Sequence, residues 1–292
     1  MLRPRLIVLL LLFFLFAAPP PLAAAETRIL AATFPLWLVA RNVVRDVPDL
    51  RVDLLIPAGA GCPHNYALSP RDLLRLAGAD ILILNGGGLD AYIPRMARND
   101  PAAGEKSPRI LEAAAALRGH ARANPHFFAS PSLSALLAER MGAALAEQDP
   151  GHAQLYARNA GAYAREMREL ARQFAALGNR LGHPSILVQH DVFDYLAADA
   201  GLTVAGAIQI HEGQEPSAAR LLSLRGQLRG VAAVVLEPQT PDRAGRMLAE
   251  EGGVPLVLLD PVAAGPEDAP LEYFSQVMRH NLQALESALG NP

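Results

Sequence analysis

Between Pro150 and Leu181 the apolar residues Leu155, Tyr163, Met167, Leu170, Phe174, Leu177 and Leu181 recur mostly at alternating steps of four and three. That spacing puts them on one face of a helix. At 1.5 Å per residue such a helix would run about 45 Å, longer than one small domain is wide. It therefore reads as a backbone joining two lobes, with Gly161 and Gly178 inside it at some cost in helix propensity.

On both sides of this stretch, apolar runs of strand length alternate with helical patterns, as in parallel α/β construction. Before it, the strand candidates are Arg28 to Thr33, Val52 to Ile56, Ile81 to Leu84 and Arg109 to Leu111. After it they are Ile186 to Val188, Val204 to Ile208, Val231 to Leu236 and Leu256 to Leu259. Helical spacing appears over Pro35 to Val44, Pro70 to Leu76 and Pro131 to Glu147. Ser69-Pro70 and Ser130-Pro131 each place an N-cap hydroxyl before a first-turn proline.

The expected fold is α/β, with two lobes that are each a roughly four-stranded parallel sheet flanked by helices, joined by a long rigid linking helix. Residues 1-25 form a signal peptide, 26-149 an N-terminal lobe, 150-182 the linking helix and 183-292 a C-terminal lobe. Gly86-Gly87-Gly88 lacks both the Gly-Lys-Ser/Thr and the GxGxxG spacing of phosphate loops, and reads as a strand-end turn with positive φ.

Arg3 and Arg5 precede the apolar run Leu6 to Ala18, and Ala23-Ala24-Ala25 offers a small-residue cleavage site. The run is shorter than the roughly 20 residues a spanning helix needs, and no cysteine lies nearby for lipid attachment. The expectation is an exported periplasmic protein. Cleavage takes Lys+Arg from 26 to 24 against 29 Asp+Glu, and the formal charge from −3 to −5. With no basic run carrying interleaved aromatics, nucleic acid is not an expected partner. Cys62 is the only cysteine, so no intrachain disulfide can form.

Four metal-capable side chains stand at junctions between elements: His64, His126, His190 and Asp260. In open α/β sheets ligands bind outside the carboxyl ends of the strands. If the lobes face each other across the helix, these junctions can line one cleft, and three imidazoles with a carboxylate suit a borderline-soft divalent ion. Spacing alone also allows each histidine to be solvent-facing or held locally. Asp191 reads as a partner for a ligand imidazole or as a helix N-cap, and Glu237 as a strand-end structural residue, a partner of the same kind or a ligand itself. Cys62 reads as a small buried cysteine or a soft ligand beside His64. His120, His152, His183, His211 and His280 have no comparable context.

Pro63-His64 with Ser69-Pro70, Asn124-Pro125-His126 with Ser130-Pro131, the His190-Asp191 run through Tyr195, and Leu259-Asp260-Pro261 resemble the four ligand motifs of the metal-specific solute-binding proteins of ABC importers, the zinc/manganese class. Glu237-Pro238-Gln239 is similar to a recurring tripeptide of that family. The resemblance spans essentially the whole mature chain, in order. It implies two lobes bridged by a rigid helix, one ion per chain held between them, and delivery to an ABC transporter membrane permease without chemistry on the ion. Carried over position by position, the ligands are His64, His126, His190 and Asp260.

The second motif departs from the family pattern. Asn124 stands where aspartate usually opens it, and Phe128, Ala129 and Ser130 replace tryptophan, leucine and aspartate. Manganese members often place glutamate at the third ligand position, so His190 points to Zn²⁺, with Mn²⁺ or iron as alternatives. The histidine-rich loop of many zinc members is absent, since Arg95 to Ala123 holds only His120. A monomer is expected. A secreted zinc hydrolase would need a general base beside an open coordination position, and no HExxH occurs. A receptor for a metal chelate would call for a more aromatic chain than one with 5% aromatics.

Overall fold

The computed structural model describes residues 26–60, 63–99, 107–121, 124–210, 214–239 and 243–290. The expected signal peptide, Cys62 and His211 lie outside these residues. Eight strands are described: β1 Thr27–Ala31, β2 Leu50–Leu54, β3 Ile81–Leu84, β4 Arg109–Glu112, β5 Ser185–Val188, β6 Thr203–Ala207, β7 Ala233–Leu236 and β8 Leu256–Leu258. They form two wholly parallel four-stranded sheets, ordered β2-β1-β3-β4 and β6-β5-β7-β8. All eight expected strands are present, with ends displaced by a residue or two, which is ordinary for element boundaries. The two sheets repeat one topology.

The helices are α1 Phe34–Val43, α2 Pro70–Ala77, α3 Tyr92–Asn99, α4 Ala113–Ala116, α5 Pro131–Gln148, α6 Ala153–Leu181, α7 Asp194–Asp199, α8 Ala218–Gln227, α9 Arg243–Gly252 and α10 Tyr273–Leu289. Helix α6 is the expected linker, entered through a 3-10 turn at Pro150–His152. Its buried face includes Tyr163, Met167, Leu170, Phe174 and Leu177, while Leu155 and Leu181 are only partly covered.

Alternation within the strands sends residues to two different cores. Ile29, Ala31, Ile81 and Ile83 of the first sheet and Ile186, Val188, Ala233 and Val235 of the second join one apolar cluster with the α6 stripe. Their neighbours Leu30, Leu82 and Leu84 pack on the outer face of the first sheet with Leu76, and Leu187, Val234 and Leu236 on that of the second with Leu224 and Leu248. A single core thus runs through both sheets and the linker.

Gly178 explains itself here: a Cβ at that position would lie 1.8 Å from the backbone oxygen of Ala200, so only glycine lets α6 approach the end of α7. The last part of the chain returns across the lobe boundary. Arg41 donates to Ala269 O at 2.6 Å, Asn42 to Leu271 O at 2.9 Å, and Gly265 N to Ala58 O at 3.0 Å. Phe34 meets Tyr273 edge to face at 5.6 Å. Among the described residues no helix is long and apolar enough to cross a membrane.

Candidate metal centre

His64 lies on a 3-10 turn, Pro63–Asn65, between β2 and α2. Two tyrosines tie that turn down. Tyr92 OH donates to Pro63 O at 3.1 Å, and Tyr66 OH to Asp72 Oδ2 at 3.0 Å. Asp72 also accepts from the Ser69 backbone N–H, and its own N–H donates to Ser69 Oγ, a reciprocal box that starts α2 where the Ser-Pro pair predicts. The His64 ring is exposed.

His126 is 4% exposed and arrives on the loop before α5. The glycine turn after β3 positions that loop. Gly86, Gly87 and Gly88 have φ of 73°, 61° and 92°, as the sequence predicts. The Asp90 carboxylate takes the Asn85 and Gly86 N–H groups at 2.6 and 2.9 Å, and Asn85 Nδ2 donates to Pro125 O at 3.0 Å. Asn124 then accepts twice through Oδ1, from the His126 N–H at 2.9 Å and from His126 Nδ1 at 2.8 Å. Asp191 Oδ1 lies 3.3 Å from the same ring nitrogen.

His190 is 3% exposed and directly follows β5 and Gln189, at the carboxyl edge of the second sheet. Glu237, at the end of β7, brings Oε1 to 2.8 Å from His190 Nδ1. Both buried imidazoles therefore turn Nδ1 toward an oxygen.

Asp260 follows β8. Its Oδ1 accepts the Val262 N–H at 2.7 Å and its Oδ2 the Gln239 amide at 2.8 Å, while Asn281 from α10 brackets its backbone at 2.9 and 2.8 Å. Val262 is held at φ 64°, a left-handed conformation unusual for a β-branched residue, in forming this turn. Burial pushes the Asp260 carboxyl above its ordinary pKa and the nearby Glu237 charge adds to the rise. Asp191 moves the other way. The hydrogen bond with His126 holds it below its ordinary pKa against partial burial, with the His190 ring contributing.

The three expected histidines come together: the His64 and His126 ring centroids are 5.6 Å apart, and those of His126 and His190 5.4 Å. Among the described residues the tight metal-capable group is His126, His190 and Asp191, whose ligand atoms all lie within 4.8 Å of one another. Of the expected ligands, His64 and Asp260 stand outside that group. His152 pairs instead with Asp149, His183 with Gly201 O and His280 with Gln276 O. Sequence reasoning named Asp191 and Glu237 as possible partners of ligand imidazoles, and both occupy that position. It missed the role of Asn124, whose only signal was the departure from aspartate.

A sequence model described as ZnuA, zinc-uptake complex component A, periplasmic, matches residues 29–288. The chain belongs to the ZnuA family. It is a metal-binding solute-binding protein of the zinc/manganese class for ABC transport, and not an enzyme. The high-affinity zinc uptake system protein ZnuA of Bacillus subtilis is 24% identical over 282 residues, covering 89% of this chain and 87% of that one. The zinc-binding lipoprotein AdcA of Streptococcus pneumoniae is 25% identical over 90% of this chain, which spans 56% of AdcA. Among solved structures, the solute-binding protein FpvC of Pseudomonas aeruginosa in complex with Mn²⁺ aligns with a TM-score of 0.79 at 29% identity, over 91% of this chain and 98% of that one. A second FpvC structure holds Ni²⁺. Proteins similar to this chain are thus described with more than one divalent ion.

Proposed function

We propose that this chain captures one Zn²⁺ ion per molecule in the periplasm and hands it to an ABC import permease. His64, His126, His190 and Asp260 are the ligands in this reading. Residues 1-25 are its export signal, and 26-149, 150-182 and 183-292 are its two lobes and linker; the protein acts as a monomer. The observation that carries it is the meeting of three imidazoles from separate parts of the chain, two of them buried with an oxygen near Nδ1. Imidazole nitrogen suits zinc better than manganese, and the names of the Bacillus and Streptococcus relatives point the same way. Asp191, beside His126 and His190, together with the Mn²⁺ in FpvC, favours manganese as a second reading, because oxygen ligands suit that ion.

The test is metal analysis of the mature protein with thermal melts in Zn²⁺ and in Mn²⁺. Stoichiometric Zn²⁺ and a larger rise in Tm with Zn²⁺ than with Mn²⁺ are expected, since an ion that binds only the folded state stabilises it. A melt indifferent to both ions overturns the transport reading, and a larger rise with Mn²⁺ overturns the choice of metal.

A further inference from the structure

Asn124 lies where the loop carrying His126 meets the second lobe, and every polar atom of its side chain is engaged. Its Oδ1 accepts from the His126 backbone N–H and from His126 Nδ1. Its Nδ2 donates across the lobe boundary, to Asp191 O at 2.7 Å and Asp194 Oδ2 at 3.1 Å, and Tyr195 OH donates to Asn124 O at 2.8 Å. We propose that Asn124 is a positioning residue of the metal site, fixing the His126 ring to the C-terminal lobe through both ends of its amide. The proposal rests on the metal-binding reading of that site.

Only a carboxamide meets these demands. It offers an acceptor for two N–H groups and, on the same carbon, donors for a carbonyl and a carboxylate. A carboxylate at this position keeps the acceptor but has no donor, and sets a second negative charge against Asp194. Alanine loses both ends, while Asp191 Oδ1 stays 3.3 Å from His126 Nδ1. The amide also has a consequence for the metal. By holding the proton on Nδ1 it fixes the tautomer of the His126 ring, and it makes the angle between the His126 and His190 rings depend on contacts from both halves of the chain. A second polar junction flanks it, where Ser130 Oγ, the Ser132 N–H and Ser132 Oγ all donate to Asp199 at 2.7, 3.0 and 2.5 Å.

The experiment compares wild type, Asn124→Asp, Asp194→Asn and the double variant. Zn²⁺ affinity is read by chelator competition, metal-free stability by thermal melting, and the His126 ring by long-range ¹H–¹⁵N correlation spectra. Asn124→Asp is expected to weaken Zn²⁺ binding about 10- to 100-fold, the usual scale for losing a partner of a ligand histidine. The double variant is expected to recover most of that loss, because the asparagine introduced by Asp194→Asn restores a donor facing the new carboxylate. His126 should carry its proton on Nδ1 in wild type. An Asn124→Asp variant that binds as tightly as wild type, or a double variant no better than the sum of the singles, overturns the proposal. If wild type binds neither Zn²⁺ nor Mn²⁺, the transport reading fails by itself. The clamp is then decided by the metal-free melts, where non-additive shifts for the pair support it and additive shifts overturn it.

Discussion

His126 and His190 meet edge to face, with ring centroids 5.4 Å apart and planes at 86°, although one precedes α5 in the first half of the chain and the other follows β5 in the second. Each has an oxygen near Nδ1, from Asn124 or Glu237, so both rings are oriented by protein contacts.

That arrangement makes the response to metal removal specific. At an ion concentration 100 times the Kd, binding adds about 2.7 kcal/mol, a rise in Tm of roughly 5–10 °C for a chain of this size. His126→Ala and His190→Ala should each abolish the rise with Zn²⁺, and a chelator should lower the Tm of wild type while leaving these variants unmoved. His183→Ala, which loses only a contact with Gly201 O, should keep the rise. Scanning calorimetry with and without Zn²⁺ distinguishes the three.

The two glycines of α6 should respond to alanine with opposite signs. Gly178→Ala drives a methyl group into the Ala200 backbone and should cost about 1–3 kcal/mol or more. Gly161→Ala meets only the end of the Arg165 side chain at 3.5 Å and should stabilise by about 0.5–1 kcal/mol through helix propensity. Urea unfolding of both variants reads the difference, and equal signs would mean the close approach at Ala200 is not maintained in solution.

Acid should loosen the turn that carries His64. Burial pushes the Asp72 carboxyl up, but the Ser69 hydroxyl and N–H, the Tyr66 hydroxyl and Arg75 outweigh it and hold the pKa below the ordinary 3.8. A carboxyl depressed on folding contributes stability that is present above its unfolded pKa of about 3.9 and is lost as pH falls through the folded value. The Tm gap between wild type and Asp72→Asn should therefore be steady from neutral pH down to about pH 5 and close below about pH 4. A gap that stays constant into strong acid would show that the charge on Asp72 is not what holds the box.

Asp199 takes three donors from the start of α5, acting across the lobe boundary as an anion at a helix N-terminus. Asp199→Ala should destabilise the metal-free protein by about 1–2 kcal/mol. Its effect on Zn²⁺ affinity should be smaller than that of Asn124→Asp, since Asp199 does not contact His126. Denaturant melts paired with chelator competition test both halves of the statement.

Much of this protein follows from local pattern. Strand runs such as Ile81 to Leu84, the caps at Ser69 and Ser130, the positive φ of Gly86 to Gly88 and the long stripe of α6 depend on residues a few positions apart, and periodicity and turn chemistry report them directly. What lies beyond that range was settled by packing. The need for glycine at position 178 depends on Ala200, the return of the final helix on Arg41 and Asn42, and the pairing of Asn124 with Asp194 on how two lobes meet. Motif order named the three histidines, but only the tertiary structure brought their rings together and set Asp191 beside His126 and His190 while Asp260 bonds to Gln239 and Val262. The physical reason is one of distance: a backbone preference is decided within a few residues, whereas the neighbours of a ligand ring are decided by which surfaces the shared core presses against each other.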